Sequence, residues 1–299
     1  MISKLNRKRT SLRGAWIICS GTAAVCMLFL SCMPKAKSRA RVSFMTFNIR
    51  YDNPADGENA WQQRRERVAA TIRFHQAGIA GIQEALHHQV IDLSGMLPEY
   101  AWLGVGRENG REAGEYAPVF YKKDRFRVLE KGHFWLSQTP EVPGSMGWDA
   151  ACTRIVTWVR FYDRTLGTSF YFINTHFDHI GTEARINSAK LLLKFINSKT
   201  GHQPVILCGD FNSLKTDTSY AVLTAGGHGL SEASSLCKEP LYGSTFTYNG
   251  FSPEIHQGRQ IDFIFVRNVS AVTRYGVVSD RWDGTFVSDH HAVIAEVEM

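Results

Sequence analysis

The strongest constraint on the fold is a series of short runs rich in β-branched and aromatic residues, spread along residues 42–299. Runs of this composition, bounded by turn residues, are typical of β-strands. Many strands interrupted by few helices predict an α/β chain of the α+β type, in which sheets pack together with helices outside. The strand-like runs are Val42–Ile49, Ile79–Gln83, Val119–Tyr121, Arg154–Tyr162, Ser169–Asn174, Pro204–Cys208, Ile261–Val266, Ala271–Val278 and Ala292–Val297.

Three stretches between these runs predict helices. The clearest is Glu183–Asn197, where apolar residues recur at the spacing of one helix face and Thr182 is placed to serve as the N-cap. Trp61–His75 and His87–Leu97 are the other two. Residues 42–299 contain neither a Pro/Gly/Ser-rich linker nor an internal repeat, so we interpret them as one domain.

Polar side chains interrupt several of the predicted strands at or near their ends. Ionised groups are costly to bury without a partner, so acids placed where strands leave a core are expected to converge on a metal or on each other. Oxygen ligands of this kind suit a hard cation. The interrupting residues are Asn48, Glu84, His176, Asp178, Asp210, Asn212, Asp262, Asp289 and His290.

Taken in order, these motifs resemble those of the endonuclease/exonuclease/phosphatase superfamily, which includes the pancreatic-type deoxyribonucleases. The resemblance implies a four-layer sandwich of two packed mixed β-sheets flanked by helices, with a catalytic domain over residues 42–299. The matching segments are Thr46-Phe47-Asn48, Gln83-Glu84, Asn174-Thr175-His176-Phe177-Asp178, Gly209-Asp210-Phe211-Asn212, Ile261-Asp262-Phe263-Ile264 and Ser288-Asp289-His290.

The resemblance also implies roles for single residues. Glu84 is similar to the principal Mg²⁺ ligand of the family, with Asn48 and Asp289 beside it. Asp210 resembles the group that orients or deprotonates the attacking water, and Asn212 supports it. Mg²⁺ or Mn²⁺ is the implied cofactor.

Two histidines complete the catalytic set that the resemblance implies. His176 and His290 correspond to imidazoles that face the phosphate, each held by an acid. Asp262 would hold His290, and Glu115 would hold His176. An imidazole bonded to a carboxylate is favoured in its charged form, so both are expected to be cationic.

These assignments predict a metal-dependent phosphoesterase that hydrolyses a phosphodiester or a phosphomonoester by attack of water on phosphorus. Mg²⁺ and imidazolium groups would stabilise the negative charge that develops on the phosphate oxygens. Two alternatives remain open: a Mg²⁺-dependent endonuclease or exonuclease, and a surface binding lipoprotein with an inactive site.

The segments around Asn48-Ile49-Arg50, Phe134-Trp135 and Gly147-Trp148 resemble a secreted and lipid-anchored bacterial branch of the superfamily. Arg50, Arg107 and Arg154 lie near them and are candidates to bind a substrate phosphate, because guanidinium forks match phosphate geometry. Surface ion pairs are the alternative for each of these arginines. Trp135 and Trp148 could line a substrate pocket or belong to the core.

Charge is distributed unevenly along the chain. The formal net charge is +6, yet residues 1–41 contain nine basic and no acidic residues, which leaves residues 42–299 at −3. A duplex-binding protein usually has a broad basic surface, so a nucleic-acid substrate is open but not favoured. A local basic cluster remains at Lys122, Lys123, Arg125 and Arg127.

The N-terminal segment has the order of a secretory signal, with basic residues followed by the uncharged run Ala15–Leu30. Its ending resembles a bacterial lipoprotein signal. Residues 1–31 would be the signal peptide, Cys32 the lipidated residue and residues 32–41 a tether. A monomer in the bacterial cell envelope, lipid-anchored to a membrane, is expected, with an uncleaved anchor or plain secretion as alternatives.

Overall fold

A computed structural model describes residues 41–226, 229–252 and 259–299. The expected signal peptide, Cys32 and nearly all of the tether lie outside these described residues. Within the described ranges, no helix combines the length and the apolar character needed to cross a bilayer.

The described residues form fifteen strands, five α-helices and one 3₁₀ helix at Pro54–Asn59. The strands are β1 Arg41–Asn48, β2 Ile79–Gln83, β3 Tyr100–Leu103, β4 Val119–Lys122, β5 Phe126–Trp135, β6 Ile155–Asp163, β7 Thr168–His176, β8 Val205–Asp210, β9 Ser231–Glu232, β10 Tyr242–Gly243, β11 Asp262–Arg267, β12 Ala271–Val278, β13 Arg281–Trp282, β14 Thr285–Phe286 and β15 Ala292–Glu298. The helices are α1 Trp61–Phe74, α2 His87–Met96, α3 Thr182–Lys199, α4 Thr218–Thr224 and α5 Ala233–Leu236.

Two mixed sheets contain most of these strands. The first has the order β10-β12-β15-β1-β2-β4-β3, and the second has the order β5-β6-β7-β8-β11-β9. β1 and β2 are parallel in the first sheet, and β7 and β8 are parallel in the second. β13 and β14 form a separate two-stranded ribbon.

Side-chain alternation along β1 shows how the first sheet is packed. Phe44 is buried between the sheets and stacks on Phe172 of the second sheet, with ring centroids 5.8 Å apart. Met45 and Phe47 point to the other face, where they join a core cluster with residues of α1 and α2. Both faces of β1 are therefore buried, which explains its nearly continuous apolar sequence.

The second sheet is covered on its outer face by α3 and α4. Leu192 and Ile196 of α3 pack with Ile173 of β7, Leu207 of β8 and Phe263 of β11 in one buried cluster. The layers are therefore helices, sheet, sheet and helices, which confirms the predicted four-layer sandwich of two packed mixed sheets.

The strand-like runs and the three helical stretches of the sequence all occur as strands and helices at nearly the predicted positions. The predicted N-cap of α3 is wrong. Gly181 occupies that position and no side chain there caps the helix. Instead, the carboxylate of Asp149, from a distant loop, accepts hydrogen bonds from the backbone N–H groups of Glu183 and Ala184.

The topology brings the polar strand ends together at one end of the sandwich. Asn48 is paired with Gln83 where the parallel strands β1 and β2 end. His176 is paired with Asp210 at the ends of β7 and β8, and Asp210 is also the register partner of Asp262 at the start of β11. Strand pairing alone therefore assembles much of the site.

Candidate active site

The first part of the site forms where β1 and β2 end. The Asn48 side-chain amide donates to Glu84 Oε1 at 2.9 Å, and the backbone N–H of Tyr51 donates to Glu84 Oε2 at 3.1 Å. Arg50 and Glu84 have φ values of 60° and 64°, in the left-handed region that few residues other than glycine adopt. Strained turns of this kind are concentrated at functional sites, and here they present Glu84 to the cleft.

Asp210 lies at the centre of the site and is 1% exposed. Its Oδ2 accepts a hydrogen bond from Asn48 Nδ2 at 3.0 Å, and its Oδ1 accepts one from the backbone N–H of Asn212 at 2.9 Å. Burial raises the pKa of Asp210, and the neighbouring Asp262 carboxylate raises it further. A carboxylate with a raised pKa is better matched to accept a proton from water near neutral pH.

His290 is held between two carboxylates. Its Nδ1 lies 2.9 Å from Asp262 Oδ2, and its Nε2 lies 3.7 Å from Asp210 Oδ2. Burial alone would lower the pKa of His290, but the Asp262 and Asp210 carboxylates outweigh it and hold the pKa well above its usual value. His290 is therefore an imidazolium, oriented by Asp262 as expected.

The hydrogen bonds of His176 indicate a neutral imidazole. Asn212 Nδ2 lies 3.1 Å from His176 Nε2 and also donates to the backbone carbonyl of Phe177 at 3.0 Å. Because that carbonyl can only accept, the amide is oriented with its nitrogen toward His176, whose Nε2 must then be the acceptor. The ring proton is accordingly on Nδ1.

The electrostatic surroundings of His176 agree with this assignment. Burial lowers its pKa well below the usual value, and the nearby Arg154 and Arg107 lower it further. The expected partner is also wrong: Glu115 forms an ion pair with Arg107, with Nη1 and Oε2 2.6 Å apart, and makes no hydrogen bond to His176. Asp210 Oδ2 lies 3.4 Å from His176 Nε2, yet burial and the two arginines keep the pKa of His176 low, whereas the pKa of His290 is raised.

A set of oxygen ligands suited to a divalent cation surrounds Glu84. Asp289 is 6% exposed, burial raises its pKa, and the negative charge of Glu84 raises it further. Glu84, His176 and Asp210 also offer ligand atoms that all lie within 4.8 Å of one another. The carboxylate oxygens of Glu84 and Asp289 are hard ligands that fit Mg²⁺ or Mn²⁺. Asn48 presents its amide nitrogen to Glu84 and Asp210 while its Oδ1 accepts from the backbone N–H of Arg50, so its amide would have to turn to serve as a ligand.

These residues line a cleft of about 510 Å³. Its wall contains the predicted arginines Arg50, Arg107 and Arg154 together with Glu84, Asp210 and His290, among others. Arg50 is held by Asp56 through two bonds, from Nε at 2.9 Å and from Nη2 at 3.1 Å. Each of the three arginines forms an ion pair, as the alternative held, Arg50 with Asp56, Arg107 with Glu115 and Arg154 with Asp178, and all three line the cleft.

Sequence reasoning missed several cleft residues. Tyr51, Tyr248, Arg259, Cys152 and His179 all line the cleft. Tyr51 directly follows the predicted Arg50 and lies beneath its guanidinium, whose carbon is 4.5 Å from the ring centroid. The sequence could have indicated Tyr51 and His179, because each directly follows a predicted motif residue.

The two tryptophans do not line the cleft. Trp135 is 2% exposed in the core, and its indole N–H donates to the backbone carbonyl of Arg107. Trp148 lies in the loop between β5 and β6, is partly exposed, and is not among the cleft residues. Trp135 therefore supports the arginine wall from behind, and the prediction of Trp148 as a substrate-binding residue is wrong for this cleft.

Comparison with known proteins shows which family has these motifs. The model of the Endonuclease/Exonuclease/phosphatase family matches residues 45–290, which include every motif described above. The chain belongs to this family. Members of the endonuclease/exonuclease/phosphatase family hydrolyse phosphoesters, so the protein is a phosphoester hydrolase.

Several solved structures of the family are similar to this chain. A family protein from Bacteroides vulgatus is 41% identical with a TM-score of 0.84, covering 87% of this chain and 99% of that one. A mannosyl-6-phosphatase from Bacteroides thetaiotaomicron is 37% identical with a TM-score of 0.81, covering 86% and 100%. These relatives agree with the bacterial branch that the sequence resembles.

A less similar solved structure shares the fold, and two further relatives match part of the sequence. The human Nocturnin catalytic domain, bound to sulfate, is 19% identical with a TM-score of 0.67, covering 86% of this chain and 93% of that one. Drosophila melanogaster Nocturnin is 23% identical over 177 residues, and an uncharacterised protein of Acanthamoeba polyphaga mimivirus is 36% identical over 161 residues. These alignments span 54% and 51% of this chain, but only 26% and 59% of the two relatives.

Proposed function

We propose that the protein is a metal-dependent phosphoesterase that hydrolyses a small phosphate ester outside the cytoplasm. The observation that carries this proposal is the convergence of a buried carboxylate, a charged imidazole and an oxygen ligand set on one cleft. Asp210, His290 and Glu84 supply these three groups, and Asn48 is bonded to both carboxylates.

We assign distinct tasks to these residues. Asp210 orients the attacking water and accepts its proton, since its pKa is raised by burial. His290 donates from Nε2 to a phosphate oxygen on which charge develops, while Asp262 fixes the ring through Nδ1. Asn212 holds Asp210 through its backbone N–H and His176 through its side chain.

Glu84, Asp289 and Asn48 would hold Mg²⁺ or Mn²⁺. When bound, such a cation supplies Lewis-acid stabilisation of the phosphoryl oxygens. The chain's own contribution is to bring these residues together beside Asp210 from three segments, the ends of β1 and β2 and the loop before β15. Burial raises the pKa of Asp289 and the negative charge of Glu84 raises it further, which supports a cation at this position.

A sugar phosphate is the substrate class that we favour. The mannosyl-6-phosphatase relative supports it by its overall similarity, and the cleft volume of about 510 Å³ suits a small ligand. The basic cluster that kept a nuclease open does not border the cleft. Lys122 and Arg125 contact Gly78 and Arg41 at the beginnings of β2 and β1.

That end of β1 is far from the catalytic end. The seven steps from Arg41 to Asn48 correspond to roughly 23 Å of extended chain. A long polyanion bound by the cluster would therefore have to cross the molecule to reach Asp210. This separation favours a small substrate over nucleic acid.

We further propose that the protein is a lipid-anchored monomer of the bacterial cell envelope. The support is the sequence of residues 1–41, with its basic start, uncharged run and Cys32. The described domain begins at Arg41, at the end of β1 remote from Asn48. A tether joined there would leave the cleft open to soluble substrates.

One panel of assays tests the proposed activity. The full chain, purified in mild detergent, is assayed with Mg²⁺, with Mn²⁺ and with EDTA against mannose 6-phosphate, p-nitrophenyl phosphate, bis(p-nitrophenyl) phosphate, sphingomyelin, inositol phosphates and plasmid DNA. We expect cation-dependent release of phosphate that EDTA abolishes. Preferential cleavage of plasmid DNA would favour the nuclease, and no turnover of any substrate would favour a binding role.

A further inference from the structure

Arg107 and Arg154 form a pair on the His176 side of the cleft. Burial raises the pKa of the Cys152 thiol, and both Arg154 and Arg107 oppose that rise, so the two guanidiniums lie near one sulfur atom. Both also line the cleft wall with His176. The acids Glu84 and Asp289, by contrast, are close to Arg50.

Each guanidinium of the pair is fixed by contacts on one side only. Arg107 Nη1 is bonded to Glu115 Oε2, and Arg154 Nη2 lies 3.1 Å from His179 Nδ1 while its Nε lies 3.6 Å from an Asp178 carboxylate oxygen. Their side chains are 13% and 5% exposed. They are held in place before any ligand arrives, so little side-chain entropy is lost on binding.

One amino group of each guanidinium remains available to a ligand. Arg107 Nη2 and Arg154 Nη1 make no hydrogen bond to any residue that the structure describes. Neither nitrogen belongs to the described side-chain atoms that are fully buried without a partner, in contrast to the Nε atoms of the same residues. These two amino groups are donors that the described part of the cleft offers to a ligand beside His176.

We propose that Arg107 and Arg154 form an anion subsite that binds the nonbridging oxygens of a terminal phosphate and thereby selects phosphate monoesters over diesters. The inference rests on the proposed function and names its substrate class. A phosphate monoester carries a charge of about −1.5 to −2 at pH 7 and three acceptor oxygens. A diester carries one negative charge and has replaced one of those oxygens with an ester oxygen.

A pair of guanidinium groups can distinguish a phosphate monoester from a diester by the number of nonbridging oxygens. Guanidinium groups match phosphate oxygens through parallel N–H donors, which gives them directional as well as electrostatic selectivity. With a diester, one fork would face an ester oxygen and its organic substituent. Arg50 is less suited to the same task, because Asp56 occupies two of its nitrogen atoms and its third faces Asp289.

The test compares two chromogenic substrates on the full chain with Mg²⁺. The wild-type protein should prefer p-nitrophenyl phosphate to bis(p-nitrophenyl) phosphate in kcat/KM. Arg107→Gln and Arg154→Gln should each lower kcat/KM for the monoester by about 100-fold, the loss typical of one transition-state donor. The diester should lose much less, so the preference falls. Arg154→Lys keeps the positive charge but lacks the paired guanidinium donors, so it should recover part of the kcat/KM that Arg154→Gln loses on the monoester.

Arg127→Gln is the matched control, because Arg127 is exposed and lies over the Tyr162 ring, remote from the cleft residues. It should leave both substrates unchanged, and circular dichroism and thermal melting should show that all variants fold. An equal loss on both substrates in Arg107→Gln and Arg154→Gln would overturn the selectivity. A wild-type preference for the diester would also overturn it, while leaving the phosphoesterase activity standing.

Calorimetric titration with inorganic phosphate separates this inference from the proposed function. If the wild-type protein cleaves neither substrate, the proposed activity fails, but the subsite can still be tested by binding. Phosphate should bind to the wild-type protein at least tenfold more tightly than to the Arg107→Gln/Arg154→Gln double variant. Equal binding by the two proteins would overturn the subsite.

Discussion

At the scale of single residues, the site contains two histidines whose surroundings drive them to opposite charge states. The Asp262 and Asp210 carboxylates outweigh burial and raise the pKa of His290. Burial, Arg154 and Arg107 lower the pKa of His176, although Asp210 Oδ2 lies 3.4 Å from its Nε2. His176 ends one strand and His290 precedes another, and the sequence predicted the same charge for both. The partners of His290 are motif residues on strands, whereas Arg107 and Arg154 near His176 come from loops that its motif does not specify.

Asp178 illustrates how the backbone can hold a charge. Its Oδ1 accepts hydrogen bonds from the N–H groups of Ile180 and Gly181, and its Oδ2 from those of Ala151 and Cys152. Burial raises the pKa of Asp178, but these backbone bonds outweigh burial and lower the pKa to about 2. The carboxylate thereby joins the β7–α3 turn to the loop before β6.

This geometry predicts an acid-dependent loss of stability. A folded-state pKa below the unfolded value of about 3.9 means that the stabilising effect is complete above that pH and is lost as pH falls toward 2. Asp178→Asn should therefore lower the melting temperature at pH 7, and its difference from the wild type should shrink between pH 4.5 and 2.5. Glu141→Gln, at an exposed position, is the control. A difference that stays constant with pH would contradict this role.

At the scale of secondary structure, the interior strands were predictable and the edge strands were not. β1 and β8 have their burial dictated by apolar residues on both faces. β5, with the sequence FRVLEKGHFW, lies at the edge of its sheet, and its alternate exposed positions are Arg127, Leu129, Lys131 and His133. Only one face of β5 packs against the rest of the protein, so the strand contains no continuous apolar run and its sequence did not predict it.

Helix α3 depends on a cap that is distant in sequence. Asp149 accepts hydrogen bonds from the first-turn N–H groups of Glu183 and Ala184. Asp149→Ala should destabilise the protein by about 1 kcal/mol, the usual cost of losing an N-cap. Asp149→Asn keeps an acceptor oxygen and should cost less. Urea denaturation would measure both, and equal losses in the two variants would argue against capping.

The candidate site follows the same division between strand and loop. Asn48, Glu84, Asp210 and Asp262 were predictable because strand pairing brings strand ends together. Asp56, which holds Arg50, was not predictable. It lies in a 3₁₀ helix beyond the strand, and its position depends on a turn in which Gly57 has a φ of 55°. Loop residues such as this one are positioned by tertiary contacts, which leave little trace in one sequence.

At the scale of the whole molecule, the two sheets are joined by polar contacts beneath the site. Asn174 of β7 donates to the backbone carbonyls of Ile82 and Pro118, which belong to the first sheet and its approach to β4. Gln83 Nε2 donates to Asn174 Oδ1 at 2.6 Å. Asn174 and Gln83 are motif residues, and these contacts indicate that they hold the sheets in register.

This close approach requires a glycine at position 81. A Cβ atom there would lie 2.6 Å from Cys208 Sγ and 2.7 Å from Asn174 Cγ, across the sheet interface. Gly81→Ala should destabilise the protein by about 1–3 kcal/mol through overpacking. Gly95→Ala is the matched control, because a Cβ at that position in α2 meets nothing within 4 Å and should stabilise the helix. Wild-type stability of Gly81→Ala in urea denaturation would contradict the tight interface.

The central claim is that Asp210 performs the proton transfer in a cation-dependent phosphoester hydrolysis. The most direct measurement is kcat/KM of Asp210→Asn with Mg²⁺ on the best substrate of the panel, beside surface control Asp124→Asn. We predict a fall of about 10²–10⁴-fold for Asp210→Asn, with a melting temperature no lower than that of the wild type because a buried carboxylate is replaced by an amide. Near-wild-type turnover by Asp210→Asn would contradict the account.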